Sequence, residues 1–166
     1  RGRSPEYVGA VTGAYRKAID AVQDGSYNEA LVEQLRGEVE KVYNRGFSSG
    51  YYLGQKQGWS GAYGNKATRK KTRVGTIVNV FAKIGVMQID STEVDVAVGD
   101  EYVIVGNTTG AVTGTVEALR IETDGSMQEV DSATRGSVIT IAFSGGECRR
   151  GDQLYKMDKI VELATL

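Results

Sequence analysis

At Thr72 the chain changes its hydrophobic period, and that change limits the folds open to it more than any other feature. Before it, "SPEYVGAVTGAYRKAIDAVQDG" places Val8, Val11, Tyr15, Ala18, Ile19 and Val22 at three- and four-residue steps, one apolar stripe of a helix. Ser4 offers an N-cap, Pro5 suits the first helical position, Glu6 suits the positive end, and Gly25 marks the stop. A second helix is expected from about Asn28 to Tyr43, with Leu31, Leu35, Val39 and Val42 on its stripe and Gly37 weakening it. The short "QDGSY" link predicts an antiparallel hairpin. After Thr72 the chain alternates and turns β-branched through "TRVGTIVNVF", "EYVIVGN", "VTGTVEALRIET" and "SVITIAF". Turn signals separate these runs, and no helical pattern interrupts them. The expected fold is α+β: a helical hairpin over 1–43, a connector over 44–71, and a small closed antiparallel β-barrel of six or seven strands over 72–160.

The residue inventory excludes several chemistries. The chain has no histidine and a single cysteine, Cys148, so it cannot by itself build a Ser-His-Asp or Cys-His centre, a His/Cys zinc site or an internal disulfide. No apolar run approaches the roughly 18 residues that a membrane span needs. Together these point to a cytoplasmic protein with no membrane partner. Cys148 lies in "GGECRRGD", where the two arginines favour a thiolate, although an ordinary loop cysteine is the simpler reading. Glu93 with Asp95, or Asp100 with Glu101, are the acidic neighbours available for acid–base work. Adjacent strand residues point to opposite faces, however, and turn acids are usually solvated. No catalytic residue is expected.

The connector is the unusual part. "NRGFSSGYYLGQKQGWSGAYG" sets Phe47, Tyr51, Tyr52, Trp59 and Tyr63 among closely spaced glycines. The net charge of −1 conceals a segregation in which residues 41–89 carry nine bases and no acid, while residues 90–166 are net −8. Trp59 and Tyr63, followed by Lys66, Arg69, Lys70, Lys71 and Arg73, have the makeup of a nucleic-acid strip, with aromatic faces for bases and cations for phosphates. Two alternatives stand beside it. Phe47 to Leu53 can anchor the connector or dock on another domain, and the basic run can face the acidic sheet.

Within the strand region, Gly99-Asp100 and Gly151-Asp152 each precede a strand: the glycine frees the backbone and the aspartate can bond the turn. With "RGSVITIAF" between them, these phrases resemble the second, β-barrel domain of translational GTPases such as elongation factor Tu. No phosphate-binding G-x-x-x-x-G-K-[ST] loop accompanies them. "RGRSPEYVGAVTGAYRKAID" followed by "NRGFSSGYYLG" resembles the C-terminal region of the collagenase-like peptidase family U-32. Gly2, Arg3, Ser4, Tyr7, Val8, Tyr15, Arg16 and Asp20 match the first family phrase. Asn44, Arg45, Gly46, Phe47, Gly50 and Gly54 match the second, as structural motif residues. The resemblance implies that a catalytic domain, with cysteines for a metal or an iron–sulfur cluster, lies upstream of Arg1 and is the partner of this chain. It implies no cofactor within the chain itself. Several relatives act in hydroxylating tRNA or rRNA bases, so the expected role is a non-catalytic accessory module that helps hold RNA. A polypeptide- or collagen-binding module is the alternative, and a structural module that self-associates is a third.

Overall fold

The computed structural model describes residues 4–48, 50, 54, 65–123, 125–143 and 147–159. The chain divides into two compact units, one ending at Arg69 and one spanning Lys70–Lys159.

In the first unit, helix α1 spans Pro5–Asp24 and helix α2 spans Glu29–Glu40. Pro5 opens α1, and Gly25, left-handed at φ 79°, ends it. The Ser4 hydroxyl makes no capping bond, contrary to expectation; its carbonyl instead accepts from the amides of Tyr7 (3.1 Å) and Val8 (3.3 Å). Asn28 does cap α2, its side-chain oxygen accepting from the Leu31 amide at 2.9 Å. Lys17 ties the two helices together through Glu38 at 2.9 Å and holds that carboxyl below its ordinary value.

The packed face of α1 takes in only part of the stripe expected from the spacing, since Val11 and Ala18 are half-buried and the other four residues are exposed. Ala14 and Ala21 are its buried residues, with Leu35 buried on α2. Tyr15 (71% exposed), Val22 (63%), Ile19 (49%) and Val8 (47%) form an apolar ridge on the neighbouring side. Small side chains let helix backbones approach closely, so the alanines take the contact and the bulky residues lie round the helix.

The second unit is built of strands. They are β1 (Arg69–Phe81), β2 (Val86–Ile89), β3 (Val96–Ala97), β4 (Glu101–Gly106), β5 (Gly110–Thr115), β6 (Leu119–Thr123), β7 (Ser126–Val130), β8 (Ser132–Ala133), β9 (Ile139–Ala142) and β10 (Gln153–Lys159). Eight of them form a mostly antiparallel sheet in the order β5-β4-β10-β1-β2-β9-β6-β7, and β3 pairs with β8 in a separate ribbon. The expected closed barrel of six or seven strands does not form, because the ladder ends at β5 and β7 without joining them. Bonds near both ends go to the ribbon segment instead: Val98 N–H donates to the Asp131 carbonyl and Gly99 N–H to that of Val116.

Alternation explains the interior. In register, Ile77 faces Ile89, Met87 faces Ile141, and Leu119 also faces Ile141. These side chains, with Ile104, Ile139 and Leu154, are fully buried in one cluster that Val96 and Ala133 of the ribbon also enter. Each fully buried Leu or Ile contributes roughly 1.5–3 kcal/mol. The Gly-Asp turns form as read. Gly99 (φ 90°) and Gly151 (φ 94°) are left-handed. Asp100 accepts from the Ala97 amide at 2.8 Å, and Asp152 from the Arg149 amide at 2.8 Å.

Candidate interaction surfaces

Asn44 closes the base of the connector. Its side-chain amide donates to the carbonyls of Glu40 (3.2 Å) and Val42 (3.1 Å), and its oxygen accepts from the Gly46 amide (3.1 Å). This asparagine turn needs the left-handed Gly46 (φ 92°) that follows. The Asn44 carbonyl then accepts from the Lys66 amide at 2.8 Å, while its own amide donates to Asn65 at 3.2 Å. Asn65 also receives the Ala67 amide at 3.0 Å. Residues 44 and 65 therefore clasp the two ends of the connector together. Sequence reasoning missed Asn65; a Gly-Asn pair marks a turn but says nothing about a partner 21 positions away.

Of the other motif residues, Arg45 donates to the Tyr43 hydroxyl at 2.9 Å. Phe47 lies under the Arg36 guanidinium, 5.5 Å from its ring centre. Gly50 (φ 63°) and Gly54 (φ 74°) are left-handed, where a side chain would be strained. Phe47 borders a groove of about 530 Å³ between the helices, walled by Tyr15, Tyr27, Val32 and Leu35. Trp59 and Tyr63, placed in the nucleic-acid strip by the sequence, lie outside the described residues, as do Tyr51, Tyr52 and Leu53.

The basic cluster is divided between the two units. Lys66 and Arg69 belong to the first unit; Lys70, Lys71 and Arg73 belong to the second. Arg73 is ion-paired to Glu93, donates to Gln153 at 2.9 Å and reaches Thr76 at 3.0 Å. Lys71 stands 4.4 Å from the centre of the Tyr155 ring. Lys66 and Lys70 are exposed and have no ion pair among the described residues. Strand β1 starts at Arg69, so most of the run is strand rather than connector, and Lys71 and Arg73 reach Tyr155 and Gln153 of β10.

Three of the four acidic residues weighed for catalysis make structural bonds. Glu93 holds Arg73, Asp95 accepts the Arg135 amide at 2.8 Å, and Asp100 pairs with Lys156 at 2.7 Å. No three His, Cys, Asp or Glu side chains converge among the described residues. A chain without histidine and with one buried cysteine does not offer the donor set of the metal or cluster that the resemblance implies. No helix among the described residues is long and apolar enough to cross a membrane.

Cys148 is buried, and desolvation followed by the nearby Asp152 charge pushes its thiol above the ordinary value; the adjacent arginines do not activate it. Raising a thiol pKa in the folded state favours the protonated form. This contribution to stability is complete below the unfolded value of about 8.5 and is lost as pH rises through the folded one. Iodoacetamide at pH 8 is expected to leave Cys148 unlabelled in the native protein and to label it fully in urea. Native labelling at the rate of free cysteine contradicts this environment.

Residues 1–60 match the model of Peptidase family U32. Over 160 residues the chain is 40% identical to a protein named collagenase from Porphyromonas gingivalis, covering 96% of this chain and 43% of that one. An uncharacterised protease of Methanocaldococcus jannaschii is 32% identical over 165 residues, covering 97% of this chain and 39% of its own. The chain thus spans less than half the length of these relatives. A crystal structure of the C-terminal domain of a Geobacillus thermoleovorans protein named for the U32 peptidases aligns with 52% of this chain and 91% of its own, at TM-score 0.45 and 15% identity.

Proposed function

We propose that this chain, whose residues 1–60 match the family model, is part of a peptidase family U32 protein, and that it is a non-catalytic accessory module holding polypeptide for a catalytic domain elsewhere in a longer protein. The observation that carries the accessory role is the α1 ridge. The family match runs through both helices, yet Val8, Tyr15, Ile19 and Val22 leave a bulky apolar face exposed. Such a face is the surface of a layer that another layer covers, here the remainder of a U32 domain. Any metal or iron–sulfur chemistry belongs to that remainder. The buried, free Cys148 suits a cytoplasmic setting.

Two observations favour polypeptide over RNA. Relatives similar along nearly the whole chain are named collagenase and protease. Arg73 and Lys71, two of the five cations expected to meet phosphates, are engaged by Glu93 and Tyr155. RNA is the second reading, supported by the run of nine bases without an acid and by the exposed Lys66 and Lys70. Titration with labelled gelatin and labelled tRNA at two salt concentrations separates the two. The expected result is gelatin binding that salt changes little and that persists in a Lys66→Ala/Lys70→Ala variant. Salt-sensitive tRNA binding whose logarithmic salt slope falls by roughly 1.4 in that variant establishes the RNA reading instead.

A further inference from the structure

We propose that the open edge of β7 is a docking site for an extended polypeptide segment carrying a large apolar side chain and a basic one. This rests on the polypeptide reading above and names the surface and the chemistry. Hydrogen-bond parity decides which way each main-chain group of β7 points. In an antiparallel strand the N–H and C=O of one residue point to the same side, and successive residues alternate. The Glu122 amide donates to the Val138 carbonyl and the Ala118 carbonyl accepts from Ala142, so even-numbered residues of the β6 segment face β9 and odd-numbered ones face β7. Ile121 is paired with Gln128 and Thr123 with Ser126, so residues 126, 128 and 130 of β7 use their main chain toward β6. The main-chain groups of Met127 and Glu129 therefore point away from the sheet, where no described residue meets them.

The same edge is already used once, two residues on. The Asp131 carbonyl accepts from the Val98 amide, and β3 pairs alongside β8. An added strand at Met127 and Glu129 would continue the line that β3 begins and satisfy the remaining donors and acceptors. The other sheet edge, β5, borders neither of the two cavities that flank β7.

Those cavities define the side chains. On the outer face, Met127 bounds a groove of about 570 Å³ floored by Ala118, Thr140 and Ala142 and walled by Phe81 and Ile84. Ile84 (71% exposed), Met127 (43%) and Phe81 (42%) are large apolar residues left in water there. At the other end of β7, a pocket of about 200 Å³ is lined by Glu117, Glu129 and Asp131 beside Val98. Arg120, 3.5 Å from Glu129, offsets part of this charge and also lines the groove beside Met127. One end thus takes an apolar side chain and the other a basic one, with main-chain pairing between them. Phosphate-bearing ligands are disfavoured by the three carboxylates.

The probe is a synthetic eight-residue peptide with leucine and lysine four positions apart, compared with an otherwise identical peptide carrying aspartate for lysine. Glu129→Pro removes an outward amide that no β6 residue uses, and Ala142→Phe fills the groove; far-ultraviolet circular dichroism and thermal midpoints confirm that both variants fold. The expected result is binding weakened by roughly tenfold in either variant and by the aspartate peptide, equal to about 1.4 kcal/mol. Hydrogen exchange adds a direct readout: Met127 and Glu129 amides gain protection with the peptide, whereas Gln128 changes little. Unchanged gelatin binding in both variants overturns the β7 site while the polypeptide reading stands. Peptide binding at β7 without any gelatin binding upholds the site and removes the support for a collagen-like substrate. No binding of either peptide by the wild type overturns the proposal outright.

Discussion

Gly106→Ala is expected to destabilise the strand unit by about 2–3 kcal/mol, the usual cost of overpacking a closed site, read as a lower urea midpoint with unchanged slope. A Cβ on Gly106 falls inside the Asp152 carboxylate. That carboxylate cannot swing away cheaply. Asp152 is 7% exposed, accepts the Thr109 hydroxyl at 2.6 Å and the Arg149 amide at 2.8 Å, and sits in the turn that leads into β10. Gly110→Ala is the control. Gly110 has no heavy atom within 4 Å of an added Cβ, but its φ of 73° puts the substitution in left-handed backbone. Its expected cost is about 1 kcal/mol, from backbone strain alone. In Gly106→Ala/Asp152→Ala the clash is gone but the two bonds are also lost, so the double variant should cost less than the two single costs combined. Strict additivity between Gly106 and Asp152 contradicts their contact.

The second large effect is at Asn44. Asn44→Ala removes three side-chain hydrogen bonds from the partly buried base of the connector, at a net of about 1 kcal/mol each, or about 2–3 kcal/mol in all. Asn44→Asp is informative beside it, because a carboxylate keeps the acceptor for Gly46 and loses both donors to Glu40 and Val42. The expected order of stability is wild type, then Asp, then Ala. Hydrogen exchange should accelerate at the Gly46 and Lys66 amides, which the clasp covers, and limited proteolysis should cut between residues 45 and 64 more readily. Unchanged exchange at Lys66 in Asn44→Ala would mean that the Asn44 side chain does not help to hold the Asn44–Lys66 bond.

The residues that sequence reasoning placed well share one property: their chemistry is settled by near neighbours. Gly25 ends α1, Asn28 caps α2 through Leu31 three residues on, and both Gly-Asp turns bond back across three residues. Alternation marked the strand runs, and the structure buries Ile77, Ile89, Ile104 and Ile141 within them. The family resemblance, carried by "YRKAID" and "NRGF", is matched by the family model over residues 1–60.

What stayed illegible was whatever needed a distant partner. The period of α1 revealed an apolar ridge but not that Ala14 and Ala21, beside it, make the contact with α2. Within the basic run from Lys66 to Arg73, nothing local signalled that Arg73 would pair with Glu93 and Gln153, which lie 20 and 80 positions away. Asn65 carried no signal of its own and completes the clasp with Asn44.

By itself the sequence determined the two helices, the glycine stop of α1, the run of strands and the local turns, because period and glycine conformations act within a few residues of chain. Only the tertiary structure decided that the sheet ends at β5 and β7 rather than closing, that a bulky ridge of α1 is left exposed, and that the main chain of Met127 and Glu129 points away from β6 with no partner among the described residues. Those outcomes depend on which far-apart segments pair, and pairing is chosen by competition among many contacts whose separate contributions no local pattern records.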